Sequence, residues 1–322
     1  MHIAIIGAGM AGASAAAHLR PHHQVSVFDK ARGPGGRMTT RRSGDGGIDL
    51  GAQYFTAHDP DFTAQVHEWQ RQGHVSSWGQ AIVAREGDRW RTSSNQPRFV
   101  GSPRMHAPVR ALLADTPLLN GHRITQTARE AGGWRLESEA HGSHPQAFDA
   151  VLFTLPLPQL RELAPALPES WWPAWSSIDM PPCWAVHVQW AEVAPEAWDG
   201  AFVNDPLVAW IGAHANKTGR SAASWALHWS EAASREHLEA TPADITERSR
   251  AWLLAQGWPQ PQLLQAHRWR YARVAGTAPQ LAYHDRALGL AVAGDWLAGG
   301  RVEGAWLSGR AAALALMNGN SP

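Results

Sequence analysis

The chain has 322 residues, with 28 Lys and Arg balanced by 28 Asp and Glu, and one cysteine, Cys183. That length exceeds a typical single domain and points to two. The zero net charge offers no global field for nucleic acid or an acidic membrane, and a lone cysteine excludes a disulfide framework and a Cys-rich metal site while fitting a reducing cytoplasm. In chain order, Ile3-Ala4-Ile5-Ile6 is an apolar run with the pattern of a buried parallel strand. Gly7-Ala8-Gly9-Met10-Ala11-Gly12 follows at once, then the helix-forming stretch from Ala13 to Leu19. This G-x-G-x-x-G closes a strand and opens a helix, the place where such a turn receives a dinucleotide. Gly7 permits the tight turn, Gly9 lets the backbone approach a pyrophosphate, and Gly12 lets helix and strand pack closely. The anion then meets free N–H groups at the positive end of the helix dipole. A second apolar run, Val25 to Phe28, ends in Asp29, whose carboxylate suits a ribose 2′-hydroxyl and repels a 2′-phosphate.

Lys30 to Met38 contains Gly33, Pro34, Gly35 and Gly36, which exclude a helix or central strand. They make a loop able to lie against a ligand, with Arg32 and Arg37 available for phosphate. Ile48 to Phe55 reads as a strand ending in a glycine turn. Thr56 to about Pro103 reads as an excursion into a second domain. It opens with an amphipathic helix over Asp59–Gly73, with Phe62, Val66 and Trp69 on one face, and continues through polar strands and a loop at Thr92–Pro97. Ser102-Pro103 predicts a helix start, with Val109, Leu112 and Leu113 on its apolar face. Arg123 to Thr125, the Gly132-Gly133 turn, Trp134 to Leu136 and Val151 to Thr154 predict a β-meander stopping at Pro156.

Residues 160–265 return to the second domain, with strands near Cys183–Trp190 and Ser224–Trp229 and a helix from Thr241 to Ala255. Leu290 to Ala293 is a strand. Gly294-Asp295-Trp296 follows, then a loop to Arg301 and a helix entered through Val302-Glu303-Gly304-Ala305. The 18 tryptophans read as core and interface filling. The 17 histidines lack ligand spacing, so no metal is expected. No Lys or Arg precedes the apolar N-terminal run, and no stretch reaches the ~18 apolar residues of a membrane helix.

Asp29 followed by Gly35-Gly36-Arg37 resembles the D/E-x5-G-G-R signature of the FAD-dependent amine-oxidase superfamily, whose loop covers the FAD pyrophosphate and whose arginine contacts it. That resemblance moves the expected cofactor from NAD to FAD. Asp49 to Tyr54 is similar to the superfamily segment that passes beside the isoalloxazine ring. The strand at Ile124 matches one that gives a backbone contact to adenine. Gly294-Asp295 with Glu303-Gly304-Ala305 resembles the second FAD motif of glutathione-reductase-like flavoproteins. There Asp295 would accept from the ribityl chain, and Gly304 would bring the helix N-terminus to the pyrimidine edge of the flavin. The implied fold class is α/β. It has a Rossmann-type, glutathione-reductase-like FAD-binding domain over residues 1–55, 104–159 and 266–322, and an α+β substrate domain formed from the inserted segments 56–103 and 160–265. The implied cofactor residues are Gly7, Gly9, Met10, Ala11, Gly12, Asp29, Lys30, Gly36, Arg37 and Met38 at the N-terminus. Gly51, Ala52, Gln53, Tyr54 and Ile124 follow, then Gly294, Asp295, Val302, Glu303, Gly304 and Ala305.

The resemblance narrows at Phe28–Met38, Gly51–Ala57, His267–Arg273 and Gly300–Gly309 to the bacterial renalase-like flavoproteins. That family oxidises 2- and 6-dihydro isomers of NAD(P) to NAD(P)+, with oxygen reduced to hydrogen peroxide. The rival is an amine oxidase of the monoamine-oxidase type. Such enzymes share a lysine that hydrogen-bonds water at the reactive flavin nitrogen, and two aromatic side chains flanking the amine. Trp184 to Val188, the strand expected to supply the lysine, contains none, and Arg301 stands where the second aromatic would be. A cation there repels a protonated amine and suits a phosphate-bearing substrate.

Trp296, Trp269 and Tyr271 are candidates for an aromatic wall, or for core. Hydride transfer needs orientation and electrostatics, so no catalytic base is expected. No cysteine lies near the C-terminal motif, which implies non-covalent FAD. The implied partners are a dihydronicotinamide dinucleotide and O2, with neither nucleic acid nor membrane, in the cytoplasm. A flavin-binding protein without turnover is the remaining alternative. The NAD or NADP form of the substrate and the oligomeric state stay open, a monomer included.

Overall fold

The computed structural model describes residues 1–318 apart from 44–45, 80, 88, 94, 165–166, 193–195 and 197, so that Ser94 of the expected Thr92–Pro97 loop lies outside the described residues. The N-terminal strand forms over His2–Ile6, the helix over Met10–Leu19 and the second strand over Gln24–Asp29. His2–Ile6 pairs in parallel with Gln24–Asp29 on one side and Ala150–Phe153 on the other. Burial on both faces is what makes these strands continuous apolar runs rather than alternating ones. Ile3 and Ile5 enter one core with the helix residues Ala13 and Ala16, while Ala4 and Ile6 enter another with Phe28, Phe153 and Trp296. Leu290–Ala293 extends the parallel sheet beyond Ala150–Phe153, and Ala282–Asp285 adds an antiparallel edge. Leu118–Asn120, which no sequence pattern announced, closes the other edge beside Gln24–Asp29. The C-terminal helix Val302–Asn318 packs against Met10–Leu19, closely enough that a Cβ on Gly309 would stand 2.1 Å from the Ala11 carbonyl oxygen.

A second sheet has seven strands. In order they are Leu263–Trp269, Cys183–Gln189, Ser224–Trp229, Val208–Ala213, Gly200–Phe202, Ile82–Glu86 and Arg89–Thr92. Segments from both insertions therefore share one sheet, joined by a parallel pair between Gly200–Phe202 and Ile82–Glu86. The helix Pro242–Ala255 covers it through Ile245, Trp252 and Leu253, against Trp184, Trp225 and Leu227. A capping box between Thr241 and Asp244 starts that helix where the sequence placed it. Asp59 likewise caps Pro60–Arg71, which buries Phe62, Val66 and Trp69 as expected. Among the described residues no helix is long and apolar enough to cross a membrane.

Two expectations are corrected. Ser102-Pro103 does not start a helix; the helix runs Ala107–Leu112. The Gly101 and Pro103 carbonyls accept from Arg220 Nη1, a pairing that ties this stretch to the loop before Ser224–Trp229. The β-meander also ends early. Ile124–Glu130, Gly133–Ser138 and Gly142–Ser143 form their own antiparallel sheet, while Ala150–Phe153 joins the parallel sheet.

Candidate active site

The glycine-rich turn, the loop after Asp29, Gly51 to Tyr54, Gly294-Asp295 and the start of the last helix open on one cleft of about 2370 Å3. Gly7 has φ +112°, and a Cβ on it would stand 2.7 Å from Thr154 Oγ1. Gly9 immediately precedes the first helix, which has no side-chain cap and no acid in its first turn. A Cβ on Gly9 would meet nothing within 4 Å, so the space beside these N–H groups is open. An anion-bearing dinucleotide needs that combination of uncapped donors and room. Asp29 accepts from Ala8 N through one oxygen and Ala31 N through the other, both at 2.7 Å. Burial pushes its carboxyl above the ordinary range, although these N–H groups pull the other way. Gly35 N donates to the Ala8 carbonyl at 2.8 Å, drawing the second loop over the first.

Of the expected cofactor residues, Gly7, Gly9, Met10, Ala11, Asp29, Lys30, Gly36, Arg37 and Met38 line the cleft. So do Gly51, Ala52, Gln53, Tyr54, Ile124, Gly294, Asp295, Val302 and Ala305. Arg37 Nη2 donates to Asp295 Oδ1 at 2.5 Å, linking the first and last motifs. Three do not line it. Gly12 is pressed against Gly7, where a Cβ would stand 2.0 Å from the carbonyl oxygen. Gly304 is pressed against Ala298, where a Cβ would stand 2.3 Å from the carbonyl oxygen. Glu303 Oε1 is engaged by the backbone N–H groups of His58 (2.7 Å) and Asp59 (2.6 Å), so its carboxylate braces the chain entering the helix Pro60–Arg71.

Among the pocket candidates, Arg301, Trp269 and Tyr271 line the cleft. Trp296 does not, and is corrected to core. Its indole is fully buried, donates to the Leu155 carbonyl at 2.9 Å and packs edge-on to Trp175. The short 3-10 turn Asp295–Leu297 points consecutive side chains in different directions, so adjacency to Asp295 did not carry Trp296 to the cleft.

Several lining residues had no sequence signal. Trp210 and Phe202 form a T-shaped pair at 4.7 Å, and Tyr54 meets Trp210 at 5.6 Å, giving the cleft an aromatic end. His228, on the neighbouring strand, bonds the Leu50 carbonyl through Nε2 at 3.0 Å. A carbonyl only accepts, so that nitrogen carries the proton. Burial pushes the imidazole down to about 4, which keeps the ring neutral. Trp269 Nε1 donates to the same carbonyl at 2.9 Å. Lys217, buried behind Gln53, donates to the Gln53 carbonyl at 2.8 Å. The strand Cys183–Gln189 carries no lysine, as expected. Twelve Lys and Arg side chains line the cleft against three carboxylates, Asp29, Glu162 and Asp295. The chain as a whole has no net charge, so the field is local.

Comparison with known proteins agrees with this architecture. Residues 5–69 match the NAD(P)-binding Rossmann-like domain, and residues 60–317 match the flavin containing amine oxidoreductases. Renalase of Mus musculus is 24% identical over 305 residues, 85% of this chain and 86% of its own. Among solved structures, cyclohexylamine oxidase from Brevibacterium oxydans superposes with a TM-score of 0.75 at 14% identity, covering 98% of each chain. A putative protoporphyrinogen oxidase from Exiguobacterium gives 0.69 at 12% identity with the same coverage.

Proposed function

The chain belongs to the family of flavin containing amine oxidoreductases, and from that premise we propose that it is an oxidase with dissociable FAD that acts on 2- and 6-dihydro isomers of NAD(P). The observation carrying this reading is the charge of the cleft, twelve cations against three acids in a neutral chain. A protonated amine meets repulsion of about 1 kcal/mol from each cation 4 Å away in water, and more when desolvated. A dinucleotide brings a pyrophosphate that arginines grip in bidentate fashion. The volume also favours two ligands, since about 2370 Å3 exceeds the roughly 300–1,000 Å3 of ordinary pockets. The likeness to mouse renalase supports the same choice.

When bound, FAD supplies the acceptor for a hydride from the dihydropyridine ring and the route of its electrons to O2. The substrate leaves as the pyridinium cation, and that hydride with one solvent proton accounts for the hydrogens of H2O2. In this reading Gly9, Met10 and Arg37 hold the cofactor pyrophosphate and Asp29 its ribose. Tyr54, Trp210 and Trp269 wall the reacting end, while Arg301 anchors the substrate phosphates. No side chain is asked to act as a base. The division follows the motifs, with a cofactor domain of residues 1–55, 104–159 and 266–322 and a substrate domain of 56–103 and 160–265. The strand Leu263–Trp269 bridges the last boundary. The reading includes a reducing cytoplasm, with the buried thiol of Cys183 pushed up to about 11 by burial.

One observation favours the second reading, amine oxidation. Tyr54 and Trp210 face the cleft as an aromatic pair able to receive an amine side chain. Oxygen uptake with product analysis tests the choice. Dihydronicotinamide isomers should yield NAD(P)+ and H2O2 in equal amounts. Aldehyde formation from an amine with no NAD(P)+ from the isomers would reverse it, and no turnover with either would leave a flavin-binding protein.

A further inference from the structure

The chain has two lysines, Lys30 and Lys217. Lys30 lines the cleft, whereas Lys217 is 2% exposed and sits behind the cleft floor. Its ammonium donates to the Gln53 carbonyl at 2.8 Å and to Gln53 Oε1 at 3.4 Å, lies 3.6 Å from Asp49 Oδ2, and stands 4.5 Å over the ring of Trp78. Trp78 in turn stacks on Tyr54 at 5.9 Å. One buried charge thus holds the Gln53 backbone directly and reaches the Tyr54 wall through Trp78.

The surroundings are built for that arrangement. Gly212 lies inside a strand, where glycine weakens pairing, yet a Cβ there would stand 2.3 Å from Gln53 Oε1. Gly200, paired with it across the sheet, leaves room for the Trp210 indole, which a Cβ would approach to 2.5 Å. The Asp49, Leu50 and Gln53 carbonyls are each held by side-chain donors. His228 and Trp269 hold the Leu50 carbonyl, the Gln53 amide holds that of Asp49, and Lys217 holds that of Gln53. A buried ammonium is costly and a methionine fills similar space, so packing alone does not explain a lysine here.

We propose that Lys217 is a positioning residue of the cleft, fixing Gln53 and, through Trp78, Tyr54, while its charge lies behind the surface that receives the flavin. The inference rests on reading the cleft as an FAD site. Asp49 is shared between Lys217 and Arg220, whose Nη2 lies 2.9 Å from the same oxygen. His214 is neutral, its imidazole pushed well down by burial and then by Lys217. Asp199 is the next acid, bonded to Asn216 and the Ala81 N–H. Arg98 lies 5.4 Å over the Tyr54 ring. In this setting burial lowers the Lys217 ammonium to about 8, against the pull of Asp49. Its charge is therefore lost at mildly alkaline pH.

The test measures FAD binding to apoprotein and the flavin reduction potential as a function of pH. Lys217→Met should fold, bind FAD roughly ten- to a hundredfold more weakly, as loss of a charged hydrogen bond implies, and show a more negative potential. The wild-type potential should inflect near pH 8, and the variant's should not. Gln53→Met, which removes the Oε1 contact and the amide's bond to the Asp49 carbonyl but keeps the charge and the backbone contact, should weaken FAD binding and retain the inflection. Unchanged affinity, potential and pH profile in Lys217→Met would overturn the proposal. If that variant does not fold, a wild-type potential without an inflection near pH 8 overturns it instead. Wild-type protein that takes up no FAD would contradict the flavin reading itself, a separate result.

Discussion

Arg37 and Asp295 stand 258 positions apart in sequence and meet at 2.5 Å beside the cleft, the arginine 28% exposed and the aspartate 9%. The pair fastens the loop after the second strand to the turn before the last helix, joining segments 258 positions apart across the cleft. Partial exposure screens it, so its worth lies nearer a surface pair than a buried one. Asp295→Asn and Arg37→Ala should each lower apoprotein stability by about 1 kcal/mol and weaken FAD binding. A double-mutant cycle on the FAD dissociation constant should return a coupling of at least about 0.5 kcal/mol. Additive effects would show that the two act on the cofactor independently.

Asp29 has a different task. Two backbone N–H groups already occupy it, and a carboxylate has further lone pairs to offer. Asp29→Ala should cost about 1.5–3 kcal/mol of FAD affinity, one to two decades, with the rate of flavin reduction in saturated protein little changed. Isothermal titration of apoprotein with FAD checks the first part. An unchanged dissociation constant would remove Asp29 from the ribose.

Stability should fall on acidification in a window set by buried neutral imidazoles. His228 is lowered from 6.5 to about 4 by burial, and His214 well below 6.5. Below pH 6.5 the unfolded chain takes up protons that native His228 refuses until about 4, so unfolding becomes easier as pH drops through that interval. Thermal midpoints measured across it should decline, and His228→Gln should flatten the slope. A slope identical in the variant would contradict the assignment.

Arg301 is exposed, lines the cleft and has no carboxylate partner among the described residues. Arg301→Tyr should raise the dissociation constant for a dihydronicotinamide dinucleotide more than it slows hydride transfer in the saturated complex, because anchoring and chemistry are separate contributions. Rapid-mixing reduction at varied substrate concentration separates the two. A loss confined to the saturated rate would place Arg301 in the chemical step.

The cofactor side of the cleft was legible because its geometry demands particular residue types. Only a glycine fits where Gly7 turns at φ +112° under Thr154, and Asp29 ends its strand where the Ala8 and Ala31 N–H groups meet its carboxylate. Helices announced by a polar cap and an apolar face, as at Asp59 and Thr241, were legible for the same local reason. The far side was not. Trp210, His228 and Lys217 reach the segment Asp49–Tyr54 through strand pairing and a loop more than 150 residues downstream, and no local pattern encodes that meeting. Trp296 failed in the opposite sense, because a position beside Asp295 says nothing of the direction its indole takes. Leu118–Asn120 is too short for its period to register.

The central claim, that this flavin oxidoreductase takes a dihydronicotinamide rather than an amine, is tested most directly by anaerobic flavin bleaching in a stopped-flow spectrometer. The 2- and 6-dihydro isomers of NAD(P) should bleach the flavin absorbance rapidly and saturably, while benzylamine, polyamines and catecholamines leave it oxidised. Fast, saturable bleaching by a primary amine, with none from the dihydronicotinamide isomers, would contradict the account.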